Sequence, residues 1–528
     1  MALPLHPPCV LAGHAGRLAG EPAGPTAETT AATVTDVKVY LGRLLRTGAA
    51  YQVGDVTAKV VALALLPVYT RHLSRADYGT AELLLTVVIL LSIVVRLGLG
   101  EALVRFHYLD ADLARRRRIA RTATAVLLAT TTLTACAAAL AAGPLSELLL
   151  GESRPAVLRA AALGLWAFTN LELANALLRV DERARAFLTA SVCNVALTVG
   201  LTVWLVVVRD EGAFGLLIGN FAASAAVLLG LWVVLRDAIG LGPGAVDVAV
   251  LRPMLRFGLP TVPAEVSVFA LFFVDRLYLY RVESEDAAGL YSLSVKLAAG
   301  VIFTVRAFQY AWPPLAYSIA EDAEARRVYA RITTYYALVT GVVVVALALL
   351  GRWVVRLFAA PEFYAAHEAL PWVALGWALY GLFLVLVAMA GRAHVTVRNA
   401  PAALCGLVVN VALLAVLVGP LGIAGAGLAL VGAFIVMLTV MYALTRRLFP
   451  VAFEWGRLAL LVGVMGSIAV GGELLAPSEG AGGFALRALA LALVVPALWA
   501  AGFFRAGELT AARELLRRVT RRPVTASG

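Results

Sequence analysis

Apolar stretches about as long as a bilayer core is thick, roughly 20 residues each, recur along this chain from residue 50 to residue 504. They fall at 50–69, 80–104, 119–142, 156–178, 186–208, 213–235, 257–280, 289–315, 332–350, 369–390, 395–418, 421–444, 457–475 and 484–504, which makes about fourteen spans. In hydrocarbon no water satisfies the backbone, so each span must be a helix or a strand of a closed barrel. Barrel strands alternate polar and apolar residues, and these runs do not. Composition agrees: 61% of residues are hydrophobic and 15% charged, against about 25% charged in a soluble domain. The expected fold class is an all-α polytopic membrane protein.

The loops give the topology. Arginines gather in alternate loops: Arg105 with Arg115 to Arg118 and Arg121, Arg179 with Arg183 and Arg185, Arg236 with Arg252 and Arg256. The pattern continues at Arg326, Arg327 and Arg331, at Arg392 and Arg398, at Arg446, Arg447 and Arg457, and in the tail from Arg513 to Arg522. The intervening loops carry Glu147 and Glu152, Asp210 and Glu211, Glu283 with Glu285 and Asp286, and Glu473 and Glu479. Cytoplasmic loops hold the positive excess, so both termini are expected inside. The net charge of +11 is therefore a topology signal, and nucleic acid is not an expected partner. Residues 1–37 have no periodicity and no signal-peptide core. They read as a disordered cytoplasmic arm or as the product of a start codon placed too early. Cys9, Cys136, Cys193 and Cys405 lie far apart with no CxxC or His/Cys cluster, so neither a disulfide framework nor a metal site is indicated.

Sliding the chain on itself by 210 residues exposes a repeat. Leu45-Arg46-x-Gly48 falls on Leu255-Arg256-x-Gly258, Arg71 on Arg281, Ser74 on Ser284, Gly79 on Gly289, Leu83 on Leu293, Val95-Arg96 on Val305-Arg306, and Asp55 on Glu265. An even number of spans separates the copies, so both enter the membrane from one side and the pseudo-twofold axis runs along the membrane normal. The expected organisation is a six-helix bundle over 38–240 and a second over 241–448 around a central cavity. Two further helices follow in 449–505, then a basic cytoplasmic tail, 506–528.

Two stretches carry a resemblance. Pro67-Val68-Tyr69-Thr70-Arg71-x-Leu73-Ser74-x-x-Asp77-Tyr78-Gly79 with Gly98-Leu99-x-x-Ala102-Leu103-Val104-Arg105, and Arg256-Phe257-Gly258-Leu259-Pro260 with Asp275-Arg276, Gly289-Leu290-Tyr291-Ser292 and Lys296-Leu297, resemble the starts of the two halves of a known superfamily. It is the multidrug/oligosaccharidyl-lipid/polysaccharide exporter superfamily, in its polysaccharide-biosynthesis and O-antigen flippase branch. The resemblance implies two bundles around a cavity that alternates between membrane faces. The cargo it implies is a polyprenyl-diphosphate-linked saccharide, moved from the inner to the outer leaflet of a bacterial cytoplasmic membrane.

Charged residues inside the spans are the candidate site, because an ionised group at mid-bilayer costs about 2.5 to 3.5 kcal/mol on insertion scales and so faces a wet interior. They are Asp55, Lys59, Arg96, Glu172, Asp275, Arg276, Lys296 and Arg306, a mainly cationic set. Only Lys38, Lys59 and Lys296 are lysines. Arg96, beside Glu101, and Arg306, beside Gln309, are repeat equivalents and are expected to grip a diphosphate bidentately from opposite sides of the axis. Snorkelling to the inner surface is the structural alternative. Lys59, Lys296 and Arg276 complete the substrate-binding set; in the resembling flippases, basic residues of the first, second and eighth helices line the cavity. Asp55 and Lys59 stand four apart and also suit a structural ion pair. Asp275 and Arg276 are expected near enough to the outer end of the seventh helix to be wetted. Asp55, Asp275 and Glu172, the last with Asn170 and Asn175, are candidate coupling or ion sites; interhelical bonding is the alternative for Glu172.

A multidrug antiporter of the same superfamily would favour carboxylates in its cavity, the reverse of this set. A membrane glycosyltransferase or ligase needs a catalytic group on a substantial outer loop, and the loops at 143–156 and 351–368 are short. A non-transporting scaffold is the remaining alternative. The expected protein is not an enzyme, carries no cofactor or metal, and has as partners a lipid-linked saccharide, membrane lipids, and polysaccharide glycosyltransferases or a polymerase.

Overall fold

The computed structural model describes residues 60–109, 112–239, 246–319, 321–393 and 398–505. The N-terminal arm, the basic tail, Asp55 and Lys59 lie outside the described residues. The described chain is helical throughout, and all of it falls in one unit, Gly54–Gly528.

The first half of the chain supplies α1 (Val60–His72), α2 (Arg75–Val95), α3 (Leu99–Leu109), α4 (Leu113–Leu140), α5 (Ala142–Leu150), α6 (Pro155–Val180), α7 (Ala184–Val208) and α8 (Gly212–Val234). The second supplies α9 (Val248–Gly258), α10 (Val262–Tyr278), α11 (Glu285–Leu297), α12 (Ala299–Ser318), α13 (Asp322–Phe358), α14 (Leu370–Arg392) and α15 (Asn399–Thr445). A hairpin, α16 (Trp455–Leu475) and α17 (Gly480–Ala500), follows. In the first half α6 packs against α4 and α8; in the second α14 packs against α12, α13 and α15. The hairpin lies against α13, and the two halves meet where α2 packs on α10 and α11.

Ten helices among the described residues are long and apolar enough to cross a membrane, up to twelve if each of two bent pairs is one span. The expected number of about fourteen exceeds that count. Part of the difference is one interruption: α15 is 47 residues, with Gly422 at φ 55° and ψ −135° inside it. At about 1.5 Å per residue an unbroken rod of that length would be more than twice as long as a bilayer core is thick. Gly422 adopts the left-handed backbone that a residue with a Cβ resists, and the chain turns there. The other part is α1, which is 13 residues over Val60–His72 and begins at the first described residue.

The 210-residue register has a local structural counterpart. Ser74 and Ser284 both precede helices, and each side chain accepts the backbone N–H three residues on, from Asp77 and Ala287, at 3.0 Å. Such an N-cap contributes about 1 kcal/mol. Leu83 and Leu293, one register apart, are both fully buried.

Candidate functional site

The functional candidates that the structure brings together lie along the seam between α2 and the pair α10, α11. Running down α2, polar and small side chains are interspersed among the buried leucines and valines. Small residues let backbones approach, and polar ones can be satisfied only by the facing helix.

At the first end of the seam, Gly79 meets Gly289 so closely that a Cβ on Gly79 would stand 2.8 Å from the Gly289 nitrogen. Around them Arg75 pairs with Asp286 at 3.0 Å and Arg154 with Glu285 at 3.3 Å. The Thr80 and Tyr280 hydroxyls share a hydrogen bond of 2.9 Å, and Arg281 donates to the carbonyls of Glu147 and Leu148. Glu285 and Asp286 thus neutralise arginines of the first half.

One turn further, Glu82, buried in α2, receives the Lys296 ammonium, which also lies 5.2 Å from the Tyr78 ring centroid. Another turn on, Thr86 accepts from Arg276 Nη1 at 2.9 Å while Arg276 Nε donates to Ser292 at 3.1 Å. Asp275 is fully buried and accepts from Asn410 at 2.8 Å and from Tyr291 at 2.9 Å. The expected wetting of Asp275 and Arg276 is corrected: both are buried, because α10 is covered there by α2 and α15. The middle of the seam carries two cations and two carboxylates, each with partners, as burial of charge requires. Glu82 was not among the candidates. Its signal was available: Glu82 and Thr86 are the register equivalents of Ser292 and Lys296, so the two polar faces that meet are copies of one pattern.

At the other end Arg96 Nη2 bonds Glu265 Oε1 of α10 at 3.0 Å. The expected neighbour Glu101 is not its partner. Leu97 and Gly98 adopt positive φ of 54° and 67°, so the chain leaves the axis of α2 and Glu101 lies in the first turn of a separate helix, α3. Gly98 sits against Gly258, where a Cβ would stand 2.2 Å from the Gly258 oxygen. Phe106 and Phe257 stack edge to face nearby, with Arg105 4.4 Å over the Phe257 ring.

Arg306 is exposed, donates to Gln309 at 3.2 Å, and has no carboxylate partner among the described residues. Glu172 is half-buried with no hydrogen bond or ion pair among the described residues. Its neighbour Asn170 makes the interhelical bond instead, donating to Thr131 of α4 at 2.9 Å. An apolar groove of about 650 Å³ lies apart from the seam, between α13, α14 and α16, with Arg352, Glu368 and Glu473 among its lining.

Solved structures share this architecture. A structure described as lipid II flippase MurJ in an inward closed conformation matches with a TM-score of 0.67 at 13% identity, covering 89% of this chain and 99% of that one. An inward-facing multidrug resistance MATE family transporter of the MOP superfamily matches with a TM-score of 0.61 at 16% identity, covering 74% and 94%. An outward-facing conformation of a multidrug resistance MATE family transporter matches at 0.51 and 15%, covering 80% and 96%. At these identities the likeness is one of fold. No curated protein matches the chain. The sequence does match the family profile described as polysaccharide biosynthesis protein over residues 68–368, more than half its length and both sides of the seam. The chain therefore belongs to the polysaccharide biosynthesis protein family and has the fold of the MOP-superfamily transporters.

Proposed function

We propose that this protein moves a polyprenyl-diphosphate-linked saccharide across the bacterial cytoplasmic membrane by alternating access. One observation carries the reading: the halves meet through polar and glycine contacts at both ends of α2, Gly79–Gly289 with Arg75–Asp286 at one and Arg96–Glu265 with Gly98–Gly258 at the other. Gly79 and Gly98 are 19 residues apart along the chain, so the closures are separated by about 28 Å if the rise is helical, close to the thickness of a bilayer core. Polar and backbone contacts at the two ends, unlike a seam closed by apolar packing alone, can be exchanged for water at one end while the other holds, which is what an alternating-access carrier needs.

The two six-helix bundles are the moving bodies, and the arginine-rich end, with both termini, faces the cytoplasm. Arg96 and Arg306 bind the diphosphate, and Arg306 is the arginine of the two that stands ready, exposed and without a carboxylate among the described residues. Lys296 and Arg276 are held at the seam until it opens, and Lys59 joins them from the first span. Asp55, Asp275 and Glu172 are the candidate coupling groups. Polysaccharide glycosyltransferases supply the cargo. The family profile favours a saccharide over the drug cargo of the MATE relatives, and the exposed guanidinium of Arg306 favours an anion over a cation.

Purified protein in liposomes should translocate a fluorescent polyprenyl-diphosphate sugar, and a MATE-type cationic dye should not replace it. Absence of translocation would leave a scaffold. Arg96→Ala and Arg306→Ala, each at normal levels, should fail to sustain export in a null strain; full export by both would remove the diphosphate clamp.

A further inference from the structure

Phe272, one turn along α10 from the buried Asp275, lies at the centre of a corner of rings. It stacks on Trp377 of α14 with centroids 4.4 Å apart and planes 12° from parallel. Tyr380 stands perpendicular to both, 6.3 Å from Phe272 and 5.8 Å from Trp377, each at 88°. Phe434 of α15, fully buried, backs the corner at 5.9 Å. The three front rings are half-buried. They belong to the interior of the second half, because Trp372, Leu375 and Leu379 on the opposite side of α14 line the outward apolar groove.

Two features bear on what this corner can hold. Trp377 Nε1 is buried with no acceptor among the described residues, an unmade bond that a core of the same shape would avoid by using phenylalanine. Arg306 belongs to α12, which packs against α14 of the corner, and Gln309 holds its guanidinium. On α10, Phe272 is seven residues from Glu265, the partner of Arg96, about 10 Å along the helix. The corner therefore lies beside the helix of Arg306 and about 10 Å along α10 from the partner of Arg96, the two arginines that the proposed function assigns to the diphosphate.

Resting on that function, we propose that Phe272, Trp377 and Tyr380 form the subsite for the saccharide next to the diphosphate, with Gln309 and Arg306 at its edge. A pyranose presents a face of C–H groups, whose partial positive charge suits the negative face of an aromatic ring, and a rim of hydroxyls. The Tyr380 hydroxyl and the Gln309 amide meet that rim, and the buried Trp377 N–H joins them once the halves separate. A polyprenyl tail would leave all three polar groups unmet, and a drug-like cation would face Arg306.

The test uses the full-length protein in lipid nanodiscs and two probes, a polyprenyl-diphosphate N-acetylhexosamine and the same polyprenyl diphosphate without sugar. Trp377→Leu should weaken binding of the sugar-bearing probe by about tenfold and leave the sugarless probe within about twofold. Tyr380→Phe keeps the ring and its packing, so it tests the subsite even where Trp377→Leu misfolds; it should weaken the sugar-bearing probe alone, by about fivefold. Equal weakening of both probes by Tyr380→Phe, or no change in either, would overturn the subsite while leaving the transport reading intact. Wild-type protein that binds neither probe would overturn the transport reading and the subsite with it.

Discussion

Gly79 and Gly289 touch through their backbones across the seam, and a Cβ on Gly79 would fall 2.2 Å from the Glu285 carbonyl oxygen. Both glycines are inside helices, so the requirement is closeness, not unusual torsion. Gly79→Ala should force α2 and α11 apart at a cost of about 1–3 kcal/mol, as overpacking does. A cysteine introduced at Ala287 should then react faster with a membrane-impermeant maleimide than it does beside Gly79. Unchanged labelling together with undiminished transport would mean that this end of the seam is not a gate.

Arg96 and Glu265 join the halves at the other end at 3.0 Å. Glu265 is partly exposed, so the pair acts as a latch of modest strength in a wet setting. Arg96→Glu and Glu265→Arg should each raise accessibility at this end, and the double exchange should restore closure, with a coupling of about 0.5–3 kcal/mol. The exchanged double variant should still transport poorly, because its arginine then lies on α10 instead of α2. Full transport by the double variant would reduce Arg96 to a gate residue with no part in holding the diphosphate.

The helices were legible because bilayer thickness and backbone satisfaction leave so few solutions, and the register that aligned Ser74 with Ser284 proved to align two N-caps. The break at Gly422 falls just beyond the gap between the apolar runs 395–418 and 421–444. Partners across the seam were harder to see. Arg96 was paired with Glu101 because a sequence does not show that Leu97 and Gly98 take positive φ, and that turn removes Glu101 from the helix. Glu82 was passed over as one carboxylate within an apolar run, although its register equivalent Ser292 marked the same face. Trp377 and Tyr380 lie three residues apart, a spacing that identifies a face but not what it meets. Which helices cover each face is a long-range property, and here it decides that Asp275 and Arg276 are buried.

Lys296 and Glu82 separate a structural role from a binding one. Lys296→Met alone should strand a buried carboxylate and cost about 3–5 kcal/mol, read as a lower apparent melting temperature in detergent. Glu82→Gln with Lys296→Met removes both charges and should recover most of that loss. If Lys296 holds substrate once the seam opens, the double variant will be stable yet deficient in transport. A double variant both stable and fully active would assign Lys296 to the seam alone.

His107 provides a pH dependence outside the membrane-spanning helices. It is buried on α3, 3.9 Å from Asp181 at the end of α6. Burial pushes its pKa below the ordinary 6.5, Asp181 opposes that shift, and Arg116 reinforces it. The sign follows from proton counting: below about pH 6.5 the unfolded chain binds a proton that the folded site resists, so unfolding is favoured as pH falls. The stability contributed by neutral His107 should be complete above about pH 6.5 and lost as pH drops through the lower folded value. The apparent melting temperature should therefore decline on acidification through that window, and His107→Gln, which cannot titrate, should flatten the decline. An identical decline in His107→Gln would place the acid sensitivity elsewhere in the protein.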